Sequence, residues 1–96
     1  MRRDAIVAVL TAHRDDLRAL GVQDLRLFGS FARDEARADS DVDLLVEFDG
    51  PVGLFAYVRL QRQLATWLGR TVDLVTPDGL KPALRERVLR EAVRAA

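Results

Sequence analysis

The chain has 96 residues, with 15 Lys+Arg balanced by 15 Asp+Glu and no Cys, for a formal net charge of zero. That length makes one domain with one core; the missing thiols exclude a disulfide framework, a thiolate metal site and a Cys nucleophile, and balanced charge speaks against a surface that grips long nucleic acid by its phosphates. Met1-Arg2-Arg3-Asp4 lacks the apolar run of a signal peptide, and no stretch approaches the ~18 apolar residues of a membrane span, so the expectation is a soluble cytoplasmic domain.

There is no repeat or low-complexity segment, and glycines and prolines punctuate the chain. Ile6, Val9, Leu10, His13, Leu17 and Leu20 fall at helical spacing before Gly21, which predicts a first helix from about residue 3 to 20. His13 on that stripe reads as a packed, hydrogen-bonded histidine. Gln23 to Phe28 reads as a short strand, and Gly29-Ser30 ends it before a helical turn over Phe31 to Ala36. From Asp41 to Phe48 the residues alternate, with Val42, Leu44, Val46 and Phe48 on one face and Asp41, Asp43, Leu45 and Glu47 on the other. Gly50-Pro51-Val52-Gly53 is a turn, and Leu54 to Leu68 is a second long helix closed by Gly69. Thr71 to Thr76 is a third strand. Pro77-Asp78-Gly79 then leads into a last helix whose core stripe is Leu80, Leu84, Val88 and Ala92. The order implies an α/β (α+β) fold, a short sheet with helices packed on it. Its strands are too short for a doubly wound nucleotide fold.

One segment concentrates the unusual residues. Aspartate is disfavoured inside strands, and Asp41 and Asp43, at i and i+2, project from one face where like charges repel. A hard divalent cation such as Mg²⁺ would compensate, because it prefers carboxylate oxygens and keeps positions open for water and phosphates. Val72-Asp73-Leu74 repeats Val42-Asp43-Leu44, so strands lying side by side in matching orientation would add the Asp73 carboxylate to that face. Gly29-Ser30, where a strand gives way to a helix, offers free N–H groups and a hydroxyl to an anion. Alone, Gly-Ser is a common turn and Asp-Val-Asp a solvated strand edge; together they suit phosphoryl or nucleotidyl transfer.

At these residues the chain resembles the nucleotidyltransferase superfamily related to DNA polymerase beta, whose signature is Gly-Ser, a spacer, Asp-x-Asp, and a third acidic residue on a later strand. More narrowly, Gly29-Ser30-Phe31-Ala32-Arg33 followed by Ser40-Asp41-Val42-Asp43-Leu44-Leu45-Val46 looks like the minimal nucleotidyltransferases of prokaryotes. The motifs cover residues 20–76, and the chain length matches the family throughout. The resemblance implies a small polymerase beta-like fold with a short mixed sheet. It implies that Gly29 and Ser30 hold the triphosphate of ATP, that Asp41 and Asp43 bind two Mg²⁺ ions, and that Asp73 completes the shell of one and helps accept the proton of the nucleophile. Arg33 would orient the loop or neutralise phosphate, the plainer alternative being an exposed salt bridge to Asp34, Glu35 or Asp39. Ser40, counted with these nucleotide-binding positions, reads as the cap of the turn entering the strand. The family usually has glycine after the arginine. Here Asp34 stands there, which carries a cost if the backbone needs positive φ, and it adds negative charge near the phosphate site.

Such minimal nucleotidyltransferases are commonly antitoxins of HEPN-type ribonuclease toxins, which implies a hetero-oligomer in which AMP passes from ATP to a toxin tyrosine. The alternatives are a non-catalytic antitoxin that binds and occludes its partner, and a transferase for a small molecule or RNA. Lys81, Arg85, Arg87, Arg90 and Arg94 are interrupted by Glu86 and Glu91 and read as a solvated face rather than an RNA surface, with Lys81 placed to reach the phosphates. Leu84, Val88 and Ala92 read as core, and an interface on the last helix is the alternative. Residues 39–49 carry −5 and the remainder +5, so the neutrality is a sum of opposites.

Overall fold

Alternation at period two builds the centre of the molecule. In the computed structural model, which describes residues 1–96, Val42–Phe48 forms strand β2 and buries Val42, Leu44 and Val46 completely. Strand β1 (Val22–Phe28) pairs antiparallel with one edge of β2, and β3 (Val72–Val75) pairs parallel with the other. A two-residue strand, β4 (Val93–Arg94), adds antiparallel to β1 and gives a mixed sheet in the order β3-β2-β1-β4. In register, Leu25 faces Val46 and Leu27 faces Leu44, so both strands turn the same apolar face inward.

Helices supply the other half of the core. Helix α4 (Leu54–Leu68) buries Leu60, Leu64 and Leu68, one stripe at i, i+4, i+8, and ends on Gly69 in the left-handed region at φ 65°. Ile6 and Leu10 come from α1 (Arg3–Ala12), and Leu17 comes from α2 (Arg14–Ala19). Two side chains of α4 also protect the outer edge of β3. Gln61 Nε2 donates to the Val72 carbonyl at 2.8 Å, and the Tyr57 hydroxyl donates to the Leu74 carbonyl. An exposed edge strand would otherwise offer these carbonyls to another chain.

Three sequence expectations change. The first helix is two helices that break at His13, whose N–H bonds back to the Leu10 carbonyl at 3.1 Å in a tightened last turn. The His13 ring stacks on Trp67 with centroids 3.9 Å apart, and its Nδ1 lies 3.1 Å from an Asp16 oxygen, so the histidine is packed and bonded as its position suggested. The helical turn after β1 is α3 (Gly29–Ala32) rather than 31–36, because Gly29 at φ 74° reverses the chain at once and Asp34 at φ 56° stops it.

The last helix, α5, runs Pro82–Glu91, and only Val88 of the expected stripe is buried. Leu84 is 49% exposed, while Ala92 has left the helix for extended backbone leading into β4. Leu80 lies before α5 begins and Ala92 after it ends, so the four-residue spacing runs through the helix at Leu84 and Val88 alone. No helix is long and apolar enough to cross a membrane.

Candidate active site

Register decides which residues of neighbouring strands stand side by side. Asp43 pairs with Asp73 across the parallel β2–β3 ladder and with Phe28 across β1–β2, so the two carboxylates stand side by side at the point where β1 runs into α3. Asp41 lies exposed one residue before β2. The matching orientation anticipated from the two Val-Asp-Leu triplets is present. Gly29 follows Phe28 directly, and a Cβ placed on it would fall 2.2 Å from Asp43 Oδ2. Glycine is therefore required twice here, for its positive φ and for the approach of a carboxylate to the backbone.

Electrostatics reflect this crowding. The Asp43 carboxyl titrates above the usual carboxylate range, chiefly because burial disfavours its charge, and further because Asp73 and Asp41 repel it; Arg33 acts weakly in the opposite sense. The three side chains do not converge into a closed cage, since no group of three potential ligands lies close enough to grip an ion ready-made. Hard oxygen donors with an unrelieved negative charge fit Mg²⁺, which takes one or two carboxylates plus substrate phosphates.

The phosphate-side residues are arranged less simply. As the first residues of a helix, Gly29 and Ser30 have N–H groups with no partner in the preceding turn. Arg33 pairs with Glu91 of α5 and, at 3.1 Å, with Glu35, and both hold its guanidinium more firmly protonated. The ion pair with Glu35 was among the sequence alternatives; the pair with Glu91 was not. Ser40 Oγ accepts the Arg37 N–H at 2.8 Å, the turn cap expected of it. Lys81 is exposed at the N-cap position of α5.

Asp34 does take the left-handed conformation, the one non-glycine residue at positive φ. Its carboxylate accepts the backbone N–H of Arg3 at 3.2 Å and lies 3.8 Å from the Arg3 guanidinium. Because α1 has no side-chain cap of its own, Asp34 caps that helix from across the molecule. Its charge is thus turned toward a cation and a helix N-terminus.

Arg70 escaped the sequence reading. One of its guanidinium nitrogens donates to the carbonyls of Ala38 at 3.1 Å and Ser40 at 3.3 Å, and the group stacks 5.1 Å from the centre of the Phe31 ring. Arg70 therefore ties the loop entering Asp41 to the helix that follows Gly29-Ser30. Only its place just after Gly69 and three residues before Asp73 hinted at this.

Comparison with known proteins matches the sequence model of the nucleotidyltransferase domain to residues 10–95, nearly the whole chain. The chain belongs to the nucleotidyltransferase domain family. Among relatives of this nucleotidyltransferase, the protein adenylyltransferase MntA of Thermococcus cleftensis is 43% identical over 91 residues, covering 94% of this chain and 92% of its own. A Methanocaldococcus jannaschii protein assigned as a protein adenylyltransferase is 40% identical over 88 residues, covering 92% and 87%. A solved structure assigned to the minimal nucleotidyltransferases superposes with a TM-score of 0.84 at 44% identity, covering 97% of this chain and 95% of that one. The same fold recurs at 22% identity and a TM-score of 0.66 in a complex of a tri-AMPylated Shewanella oneidensis HEPN toxin with its MNT antitoxin, over 94% of this chain and 71% of the other. The polymerase beta-like mixed sheet expected from the motifs is the fold observed.

Proposed function

We propose that this nucleotidyltransferase is a Mg²⁺-dependent protein adenylyltransferase, which moves AMP from ATP to a tyrosine hydroxyl of an HEPN-type toxin in the cytoplasm and so acts as its antitoxin. The observation that carries this reading is the pairing of Asp43 with Asp73 beside the Gly29-Ser30 turn. The likeness to MntA supports the acceptor class.

In this mechanism Gly29 and Ser30 receive the triphosphate on the N–H groups of α3 and the Ser30 hydroxyl. Asp41 and Asp43 would hold two Mg²⁺ ions, and Asp73 would complete the shell of one. Bound Mg²⁺ would neutralise the triphosphate and acidify the acceptor hydroxyl. Arg33 would give up its pair with Glu91 to meet phosphate charge, and Ser40 secures the turn that presents Asp41. The acceptor oxygen attacks the α-phosphorus, the bond from that phosphorus to the bridging oxygen breaks, and pyrophosphate leaves with the electron pair. The acceptor proton passes to the exposed Asp73 carboxylate. Catalysis is then mostly positioning and charge neutralisation.

The test is incubation of the purified chain with an HEPN-type toxin, Mg²⁺ and labelled ATP. AMP on a partner tyrosine, absent with Asp41→Asn/Asp43→Asn, is the expected result. An unlabelled partner that both forms nevertheless neutralise would replace catalysis by occlusion.

A further inference from the structure

Strand β2 outruns its parallel neighbour. The last β2–β3 pair is Leu45 with Val75, whereas β2 continues to Phe48. The Val42 N–H bonds to Thr71 on the β3 side, and the Asp49 N–H bonds to Gly21 on the β1 side. Even-numbered residues of β2 therefore aim their main-chain groups toward β3, and Phe48 aims its own where β3 has already ended. The chain opens there into a notch of about 510 Å³ with an apolar wall of Phe48, Val52, Tyr57 and Pro77. Glu47 and Asp78 are its charged lining residues, and no Lys or Arg lines it. Arg85, which reaches Pro77 from α5, is committed to the Pro77 and Leu80 carbonyls.

Apolar surface continues beyond the notch. Between the lining residues Val52 and Tyr57, the first turn of α4 exposes Leu54 at 74% and Phe55 at 87%. Two adjacent large apolar side chains this exposed, beside an open strand edge, mark a binding surface more readily than scattered surface residues do. The notch also lies within reach of the carboxylates. Tyr57 bonds to the carbonyl of Leu74, the residue after Asp73, and Glu47 stands four residues along β2 from Asp43, about 13 Å at strand rise.

We propose that this notch docks an extended segment of the acceptor protein, apolar at its centre and flanked by Lys or Arg, laid beside residues 46–48 of β2. The proposal rests on the adenylyltransferase reading for what the segment belongs to. Its chemistry comes from the notch: an open main-chain edge pairs with extended backbone, the apolar wall takes one or two large side chains, and Glu47 and Asp78 select cationic flanks. Leu45 lies covered between Glu47 and Asp43, so the docked segment anchors the acceptor at the notch and a further stretch of it carries the hydroxyl round to Asp43 and Asp73.

A phage-displayed library of random twelve-residue peptides, panned on the intact chain, tests the surface without requiring activity. Enriched peptides should carry apolar or aromatic centres with basic flanks. They should bind at least 10-fold more weakly to Val52→Asp/Phe55→Asp and to Glu47→Lys/Asp78→Lys, with the thermal midpoint of each variant confirming its fold. No enrichment, or enriched peptides indifferent to both variants, would overturn the docking proposal. A second arm measures labelling of the HEPN protein. The notch variants should raise KM for that protein at least 10-fold and leave kcat and ATP affinity unchanged, and an unchanged KM would overturn docking while the transfer reaction stands. If the wild type labels no HEPN protein but still selects the peptides, the adenylyltransfer reading fails and the docking surface stands.

Discussion

The backbone of Gly29 and the carboxylate of Asp43 occupy adjoining space so closely that a single methyl group on Gly29 would overlap Asp43 Oδ2 at 2.2 Å. The turn proposed to hold phosphate and the residue proposed to hold metal are therefore one steric unit.

Gly29→Ala should accordingly destabilise the fold by about 1–3 kcal/mol, through both the strain of φ 74° and the collision, and should abolish transfer. Chemical denaturation of the single and double mutants checks the cause. In an Asp43→Ala background the collision is gone, so the cost of Gly29→Ala should fall toward that of backbone strain alone.

Asp43→Asn should lose more than the ~10–100-fold that removal of an outer-shell partner costs a metal site, yet raise the thermal midpoint in EDTA. The sign follows from the raised folded-state titration of Asp43. Below the ordinary value of 3.8 both folded and unfolded carboxyls are protonated, and no penalty exists. As pH rises from there the unfolded chain ionises first, and the penalty on the folded state grows until pH has passed the folded value. The variant's advantage should therefore be full at neutral pH and vanish in acid. Mg²⁺ should raise the midpoint of the wild type but not of Asp43→Asn.

Arg70→Ala should leave the fold intact and lower kcat about 10–100-fold, because the loop entering Asp41 loses both carbonyl contacts and its tie to Phe31. Arg70→Lys should recover only part of this, since an ammonium lacks the planar fork and its stacking. Steady-state kinetics at saturating ATP, with circular dichroism as the fold control, distinguishes a positioning role from general destabilisation.

Glu91→Gln should lower KM for ATP by freeing Arg33, whereas Arg33→Ala should raise it. Both residues are partly solvated, so the thermal midpoint should hardly move. A KM that rises in Glu91→Gln would instead make the ion pair a brace for the phosphate turn.

Local periodicity made much of this site legible. Asp43 and Asp73 each sit between apolar residues of a period-two strand, so their shared face followed from the pattern once parallel pairing was supposed. The Asp34 departure was equally visible as a matter of backbone conformation. Its partner Arg3 was not, because the two meet only when the start of α1 reaches the end of α3, and Glu91 reaches Arg33 from α5. The break at His13 stayed hidden because Ile6, Leu10 and Leu17 remain on the buried side of both helices. The last stripe misled because α5 starts after Leu80 and stops before Ala92, so its four positions never shared one helix. Strand β4 is two residues long and follows a helical pattern without any glycine or proline between them.

That last strand bears on how β1 is held. The Ala95 N–H bonds to the Leu25 carbonyl at 2.8 Å and the Leu25 N–H to the Ala96 carbonyl at 3.0 Å, so β1 takes its outer neighbour from residues far along the chain. Closing so long a loop is an entropic cost that local structure cannot meet. The strand that ends on Gly29-Ser30 is thus flanked on both sides only when the two distant parts of the chain are joined, and without that join it would lie open as an edge.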